Sequence, residues 1–378
     1  MSEISDMIQR LCPDGVEYRK LGEVVKIMNG KDYKSHQEGN IPVYGTGGIL
    51  TYIDTAFDDG PTVLLPRKGS IDKVYYVDSP FWTVDTIYWT KFSRDSLVCP
   101  KFLYYFMTTI NLSKMNTGTG AIPSLTQTVL SRIEIPVPPL EVQRKIVEVL
   151  DNFSELTAEL EAELEARKKQ YEYYRDNLLN FSQIAPPNSV KWMKLGEIGD
   201  VKMCKRVMKH QTNTEYGIPF YKIGTFGKTA DAFISQELFN ELKNSYSYPK
   251  YGDILISASG TIGRTVVYNG EDAYYQDSNI VWIDNDESIA LNSYLKIIYQ
   301  VIEWKVEGGT IKRLYNDNIK NTVIPIPPLS EQERIVSILD RFEALTTDLT
   351  SGLPAEIKAR QQQYEYYRDQ LLTFKRAN

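Results

Sequence analysis

The chain has 378 residues, 42% of them hydrophobic and 24% charged, with a formal net charge of −6 at pH 7. This length exceeds the roughly 100–200 residues of one domain, so we expect at least two domains. The sequence has no apolar run near the ~20 residues of a membrane helix, and Met1–Arg10 has no signal-peptide pattern. We therefore predict a cytoplasmic protein that does not contact a membrane.

Residues 1–140 are predicted to form a first globular domain of mixed α and β structure. Strands are predicted over Pro61–Arg67, Val74–Ser79 and Thr86–Phe92, and a helix over Lys101–Thr109. The domain carries 14 basic and 15 acidic side chains, so its charge neither supports nor excludes a nucleic-acid partner. Its loops contain candidates for contacts to phosphates and bases, although each is equally compatible with a solubilising role. They are Lys31, Lys34, Arg67, Lys68, Ser70, Lys73 and Lys114.

Residues 141–184 are predicted to form a long helix, the first helical spacer. Prolines at positions 136, 138 and 139 favour extended chain ahead of it. Apolar and aromatic residues then recur at alternating intervals of four and three, which is typical of a coiled-coil seam. The seam positions are Ile146, Leu150, Phe153, Leu160, Leu164, Tyr171, Tyr174 and Leu178.

Residues 185–329 are predicted to form a second mixed globular domain. Strands are predicted over Ile254–Ser259, Arg264–Asn269 and Asn279–Asp284, and a helix over Ser293–Glu303. The run Glu303–Lys305 is interpreted as a solvated face of that helix. The candidates for DNA contacts in this domain are Lys202, Lys205, Arg206, Lys209, Lys222, Lys228, Arg264, Lys312 and Arg313.

Residues 330–378 are predicted to form a second helical spacer, again preceded by prolines, at positions 325, 327 and 328. This copy has gained four residues around Ser351–Pro354, a stutter that returns the seam to nearly the same face. Gly352 and Pro354 nevertheless predict a kink or break in the helix. The seam positions are Ile335, Leu339, Phe342, Leu349, Tyr364, Tyr367 and Leu371.

The chain is therefore an internal repeat. The stretch "IEIPVPPLEVQRKIVEVLD" from Ile133 aligns with "TVIPIPPLSEQERIVSILD" from Thr322, and "QYEYYRD" occurs at Gln170–Asp176 and again at Gln363–Asp369. The repeat predicts an α/β fold of the mixed α+β kind, with two domains joined by two long antiparallel coiled-coil helices in a pseudo-two-fold arrangement. Pairing of the spacers within the chain is favoured over dimerisation between chains, because the second domain lets the chain return. The repeated tyrosines either pack between spacers or dock a partner protein.

Residues typical of catalysis are scarce. His36 and His210 do not occupy matched positions, the three cysteines are isolated, and there is no GxxxxGK[ST] loop. The glycines of Gly45–Gly48 and Gly118–Gly120 are interpreted as turns. We predict no catalytic residues, no metal site and no cofactor on this chain.

Two globular domains, each followed by an "IP(V/I)PPL…Q…I…LD" segment and a long helix, resemble the specificity subunit of type I restriction-modification systems. "GTGAIPSLTQTVLSRIEIPVPPL" (Gly118–Leu140) and "GGTIKRLYNDNIKNTVIPIPPL" (Gly308–Leu329) resemble the ends of that family's target-recognition domains. "LCPDGVEYRKLGEV" (Leu11–Val24) resembles a common opening of the first domain. The resemblance covers essentially the entire chain.

The resemblance implies that each globular domain is a target-recognition domain that reads half of a bipartite double-stranded DNA target. The helices would set the gap between the half-sites and dock two modification (methyltransferase) subunits, and a restriction (motor-nuclease) subunit would complete the complex. S-adenosylmethionine, ATP and magnesium would belong to those partners, so this chain would be a non-catalytic specificity subunit. The alternatives are a coiled-coil scaffold with protein-binding globular ends and a self-contained DNA enzyme.

Overall fold

A computed structural model describes residues 2–118, 121–181, 189–309, 312–347 and 351–377. Contacts divide the chain into two compact units, one formed by Met1–Glu163 with Pro354–Asn378 and the other by Leu164–Leu353. Each unit thus combines a globular part with pieces of both predicted spacers. The predicted boundaries at residues 140, 184 and 329 follow chain order and stay predictions.

The globular part of the first unit contains short helices and a set of mostly antiparallel strands. The helices are α1 (Ser2–Leu11), α2 (Leu21–Val24), α3 (Pro100–Thr109) and α4 (Gln127–Ser131), with a 3-10 turn at Leu112–Met115. The strands are β1 (Tyr18–Lys20), β2 (Lys26–Asn29), β3 (Glu38–Gly45), β4 (Gly48–Ile53), β5 (Thr62–Pro66), β6 (Tyr75–Val77), β7 (Trp82–Thr83), β8 (Ile87–Lys91) and β9 (Glu134–Pro136).

These strands form a four-stranded sheet of order β2-β8-β5-β6, a three-stranded sheet of order β4-β3-β7, and the pair β1-β9. The pair β3-β7 is parallel and the other pairs are antiparallel. Every residue of β5 is buried. Val63 and Leu65 pack with residues of helix α3, whereas Leu64 packs on the other face with Phe81 and Ile87. The strands and helix predicted for this domain are confirmed to within two residues.

After the long helix α5 (Leu140–Leu178), the second unit repeats this arrangement. Its strands are β10 (Lys191–Lys194), β11 (Gly199–Lys202), β12 (Ile218–Tyr221), β13 (Phe233–Ile234), β14 (Ile254–Ser257), β15 (Thr265–Val267), β16 (Tyr274–Tyr275), β17 (Ile280–Asn285) and β18 (Val323–Ile326). Its helices are α6 (Leu195–Ile198), α7 (Gln236–Ser245), α8 (Asn292–Val301), α9 (Asn316–Asn321) and α10 (Leu329–Thr347), with a 3-10 turn at Lys209–Gln211. Helix α11 (Leu353–Leu371) returns to the first unit.

The sheets of the second unit have the orders β11-β17-β14-β15, β13-β12-β16 and β10-β18, which match those of the first unit strand for strand. The short parallel pair recurs as β12-β16. The mixed fold and the tandem repeat expected from the sequence are therefore confirmed. The interpretation of Glu303–Lys305 as a helical face was wrong, because α8 ends at Val301 and Trp304 packs against Tyr299 at a ring-centroid distance of 5.7 Å.

Within each unit the spacer helices pack antiparallel. In the first unit the ring of Phe153 lies 5.3 Å from that of Tyr367, and Gln361 lies opposite Glu161. In the second unit the rings of Tyr174 and Phe342 are also 5.3 Å apart. Phe153 corresponds to Phe342 and Tyr174 to Tyr367 in the repeat, so these two contacts are equivalent.

The seam residues lie on the less exposed side of the helices. Ile146, Leu150, Ile335, Leu339 and Leu371 are buried, whereas Tyr174 keeps 39% of its surface exposed. The half-buried seam residues are Phe153, Leu160, Leu164, Tyr171, Leu178, Phe342, Tyr364 and Tyr367. Leu349 and Gly120 lie outside the described residues. Pro354 is the second residue of α11, where a helix tolerates proline because that backbone position donates no intrahelical hydrogen bond.

A buried glutamine fixes the start of each spacer to its globular part. The Gln143 side chain accepts a hydrogen bond from the Cys99 backbone N–H (2.7 Å) and donates to the carbonyls of Leu97 (2.8 Å) and Pro138 (2.7 Å). The Gln332 side chain does the same in the second unit. It accepts from the Leu291 N–H and donates to the carbonyls of Ile289 and Pro327, each over 2.9 Å. Both glutamines are fully buried. Each network joins the proline-containing segment before the spacer, the residue that precedes α3 or α8, and the spacer helix itself.

Candidate nucleic-acid interface

A cleft of about 520 Å³ lies in the globular part of the second unit. It brings together three of the predicted DNA-contacting residues, Arg206, Lys209 and Lys222. Amide and hydroxyl side chains share the same cleft with them, namely Thr212, Asn213, Thr214, Gln276 and Asn279. We call this the amide cleft.

The loop that follows β11 supplies one wall of the amide cleft. Its 3-10 turn presents Lys209 to solvent, and the chain is then held against β13, because the backbones of Asn213 and Phe233 exchange hydrogen bonds of 2.9 and 2.8 Å. The Asn213 side-chain oxygen accepts from the backbone N–H groups of Glu215 and Tyr216. The amide NH₂ of Asn213 is not used in those bonds.

The segment between β16 and β17 supplies the other wall. The Gln276 side-chain oxygen accepts from the Ile223 backbone N–H over 3.0 Å, and the Asn279 oxygen accepts from the Ser259 hydroxyl over 2.8 Å. Both amides are thereby oriented with their NH₂ groups outside these bonds. An oriented amide beside arginine and lysine is the set of groups that reads base edges and holds phosphates.

Two carboxylates balance the charge of the amide cleft. The Nε of Arg206 lies 2.8 Å from Asp277, and the Nζ of Lys222 lies 2.7 Å from Asp231. The Arg206 side chain nevertheless stays 66% exposed, so its remaining guanidinium donors face solvent. Such exposed pairs contribute little to stability and are easily exchanged for a phosphate or base partner.

The other candidates of the second unit lie outside this cleft. Arg264 is bonded to the Phe226 carbonyl and to the Thr261 hydroxyl, and Arg313 donates to the Ser278 carbonyl over 2.7 Å, so both have structural bonds. The Nζ of Lys205 lies 4.9 Å from the Tyr246 ring centroid, and Lys202 pairs with Asp200 over 3.5 Å. Two further candidates, Lys228 and Lys312, are exposed.

In the first unit, Arg67, Lys68, Ser70 and Lys73 lie together in the loop after β5. Arg67 donates to the Asp85 carbonyl over 2.9 Å, and its guanidinium lies 5.7 Å from the Tyr88 ring centroid. The other three are exposed.

Gly69 gives this loop its turn at a φ of +90°, and its N–H donates to the Pro123 carbonyl over 3.0 Å. That bond places the loop beside the segment around Pro123.

The remaining candidates of the first unit are dispersed. Lys31 and Lys34 follow β2, and the Lys31 carbonyl accepts from the Trp82 indole over 3.0 Å. Lys114 lies in the 3-10 turn. Gly45 and Gly48 pair at the tight turn between β3 and β4, which confirms the interpretation of those glycines as a turn.

Among the described residues no group of three or more His, Cys, Asp or Glu is placed to hold a metal ion, and no helix is long and apolar enough to cross a membrane. Burial raises the pKa of the Cys204 thiol to about 12, so this cysteine is not a thiolate nucleophile near neutral pH. His36 packs edge-on against Trp82 with ring centroids 4.4 Å apart.

The family described as Type I restriction modification DNA specificity domain matches this chain twice, over residues 13–167 and 187–359. The chain belongs to that family. The two matched segments contain the globular parts of the two units and the beginnings of the spacers. The amide cleft therefore lies inside the second specificity domain.

Relatives of this specificity-domain chain cover nearly its full length. A type I restriction enzyme specificity subunit of Haemophilus influenzae is 49% identical, with 95% of this chain and 96% of the relative covered. A type I restriction enzyme specificity subunit of Escherichia coli is 32% identical, with 99% and 98% covered.

Solved structures share the fold at lower identity. The S subunit of a type I restriction-modification system from M. genitalium aligns with a TM-score of 0.60 at 16% identity, covering 95% of this chain and 96% of that one. A chain from a study of complex assembly and conformational transition of the type I R-M system aligns with a TM-score of 0.63 at 20% identity, covering 95% and 97%.

Sequence reasoning missed the amides of the site. Asn213, Gln276 and Asn279 are separated by up to 66 positions and meet only because β12 pairs in parallel with β16. The available signal was the local mixture of Gln, Ser and Asn within Tyr274–Ile280, together with a basic loop earlier in the chain. The candidates taken from the sequence were Lys and Arg residues, with Ser70 as the one exception, so these amides were passed over.

Proposed function

We propose that this chain is the DNA sequence-specificity subunit of a type I restriction-modification complex. Each globular domain binds one half of a bipartite double-stranded DNA target, and the paired helices set the spacing and dock the methyltransferase subunits. The observation that carries the proposal is the double match to the DNA specificity domain on two units whose sheets have the same order.

The amide cleft supports the reading of bases by the second domain. Asn and Gln amides pair with adenine edges, and arginine pairs with guanine edges, in geometries that a preformed cleft favours. Lys209, which is exposed at the rim, is suited to a phosphate. In the first domain, the loop from Arg67 to Lys73 takes the corresponding role.

The helices support the spacing role. Helix α5 contains 39 residues, which gives a length of about 58 Å at 1.5 Å per residue. Because a continuous helix is stiff, its length fixes how far apart two attached groups are held. In the proposed complex the chain carries no cofactor, and S-adenosylmethionine, ATP and magnesium belong to the modification and restriction subunits.

A genome-wide map of methylated adenines tests the proposal. We expect a two-part motif that disappears when the gene is deleted and returns when it is restored. Restoration with Arg206→Ala combined with Gln276→Ala should relax one half of the motif and leave the other half unchanged, because both residues lie in one domain. Asn244→Ala, a change at an exposed helical position of the same domain outside the amide cleft, should restore the complete motif.

An unchanged methylation pattern after deletion, in cells whose methyltransferase subunit is active, would contradict the proposal. Direct binding separates the alternative of a protein scaffold from a DNA reader. Phosphate contacts make DNA affinity fall steeply with added salt, whereas a scaffold would have no such salt-dependent affinity.

A further inference from the structure

A second cleft, of about 470 Å³, lies in the first unit at the end of the four-stranded sheet where β5 begins and β8 ends. Arg94 and Arg144 both line it, and among the described residues neither has an ion-pair partner. Lys91 is the third cation, and its Nζ lies 3.1 Å from the Asp58 carboxylate. We call this the basic cleft.

A further feature of the basic cleft favours an anion. The first residues of α3 and α5, Pro100 and Leu140, also line the cleft, and the positive ends of these helices attract negative charge.

The basic cleft lies away from the predicted DNA-contacting loop of the same unit. Strand β5 runs from the cleft to Arg67, and β8 returns antiparallel from beside Arg67 to Lys91. Five strand residues separate the two ends by about 17 Å. The phosphate that Arg67 would bind is therefore at the opposite end of β5 and does not occupy the cleft, and the occupant that we infer is a carboxylate of a protein.

The second unit has the opposite charge at the matching positions. The pair of Asp58 with Lys91 corresponds to a pair of Lys250 with Asp284, 2.9 Å apart, in which the signs are exchanged. Arg144 corresponds to Glu333, 189 positions later in the repeat, and the loop holding Arg94 corresponds to one holding Asp286 and Glu287. The fold is the same in both units, so folding does not require this reversal.

We propose that the basic cleft binds an acidic segment of the modification subunit, and that the matching surface of the second unit does not. This inference rests on the proposed function, because the partner is a subunit of the proposed complex. The two repeats then contact identical partners unequally, and the first unit forms the tighter of the two attachments.

The test uses the full chain co-expressed with its cognate modification subunit. The variant Arg94→Glu with Arg144→Glu should lose one modification subunit, which native mass spectrometry reads as a change from two copies to one, with an affinity for that copy at least tenfold lower. The control is Lys20→Glu with Arg132→Glu, two exposed cations in the globular part of the same unit, outside the cleft and the spacer helices, and it should keep both copies.

A photoreactive amino acid in place of Ser93, at the rim of the cleft, gives a second measurement in a chain with its charges intact. We expect a cross-link to a segment of the modification subunit rich in Asp and Glu. Two retained copies in the charge-reversal variant, or cross-links to DNA, would overturn the inference and leave the proposed function standing. A wild-type chain that forms no complex with the modification subunit would overturn both.

Discussion

The buried glutamine networks give a sharp test of how each spacer is held. In Gln143→Leu, the Cys99 N–H loses its acceptor and the carbonyls of Leu97 and Pro138 lose their donor, inside a fully buried site. A lost hydrogen bond costs about 0.5–1.5 kcal/mol, and a buried donor left without a partner costs about 1–3 kcal/mol. After allowance for the apolar surface that leucine buries, we expect a local destabilisation of about 3 kcal/mol.

Hydrogen exchange followed by mass spectrometry measures this effect where it occurs. Because about 1.4 kcal/mol corresponds to a factor of ten, amides at the start of α3 should exchange roughly a hundredfold faster in Gln143→Leu, if they exchange by local opening. The start of α8, which the Gln332 network holds, should keep its protection.

Gln332→Leu should give the converse pattern, fast exchange at α8 and unchanged exchange at α3, so each variant serves as the control of the other. Gln362→Leu, at an exposed position of α11, should change neither. Exchange at the start of α3 within tenfold of the wild-type rate in Gln143→Leu would refute the reasoning that these bonds anchor the spacer.

Three further experiments test packing and charge. In a urea titration, Gly263→Ala should lower the free energy of unfolding by about 2 kcal/mol, because Gly263 has a φ of +80° and a Cβ there would lie 2.7 Å from the Trp304 ring. The control is Gly224→Ala, where nothing lies within 4 Å of the new atom. It should change the free energy of unfolding by less than about 0.5 kcal/mol. Phe153→Ala and Phe342→Ala should each lower the stability of their own unit by about 2 kcal/mol, because they remove equivalent half-buried ring contacts. Hydrogen exchange measures the stability of each unit separately, and unequal losses of stability would contradict the equivalence of the two contacts. Burial raises the pKa of the Asp253 carboxyl above its ordinary value, so ionisation of this group favours the unfolded chain and the wild type loses stability as the pH rises through that range. Asp253→Asn keeps an acceptor for the Lys250 N–H, and its stability relative to wild type should increase from about pH 4 to about pH 8. A difference in stability that stays constant with pH would contradict the assignment.

Periodicity and repetition predicted the larger part of the fold. The buried strand β5 is a continuous apolar run bounded by turn residues, so its neighbours in sequence were enough to predict it. The prolines at 136 and 325, which favour extended chain, fall inside β9 and β18. The heptad steps likewise placed Phe153 and Tyr367 on the seam where they are now in contact, although which seam residues meet depends on the return of the chain. Each of these features depends on neighbours in sequence or on a repeated pattern.

Features that depend on distant pairing were beyond the sequence. Nothing near Val301 in the sequence marks the end of helix α8, because Ile302 and Trp304 continue its apolar character. The helix ends where the Trp304 ring packs beside Gly263, a residue that is distant in the sequence. The amide cleft depends in the same way on β12 meeting β16 across more than fifty residues. Long-range contacts decide both outcomes, and single-residue propensities do not contain them.

The repeated features and the unrepeated ones divide by role. Gln143 and Gln332 make the same three hydrogen bonds, and the sheets of the two units have the same strand order, so the features that stabilise the fold occur in both repeats. The charges of Asp58 and Lys91 are exchanged in Lys250 and Asp284, although the ion pair is kept. A duplicated scaffold that tolerates reversed charge at a matched site is free to meet different surfaces with its two halves. At this site, which lies away from the predicted DNA-contacting loop, the different surfaces are those of the partner subunits, so a repeat that is symmetric in fold can still bind two identical partners unequally.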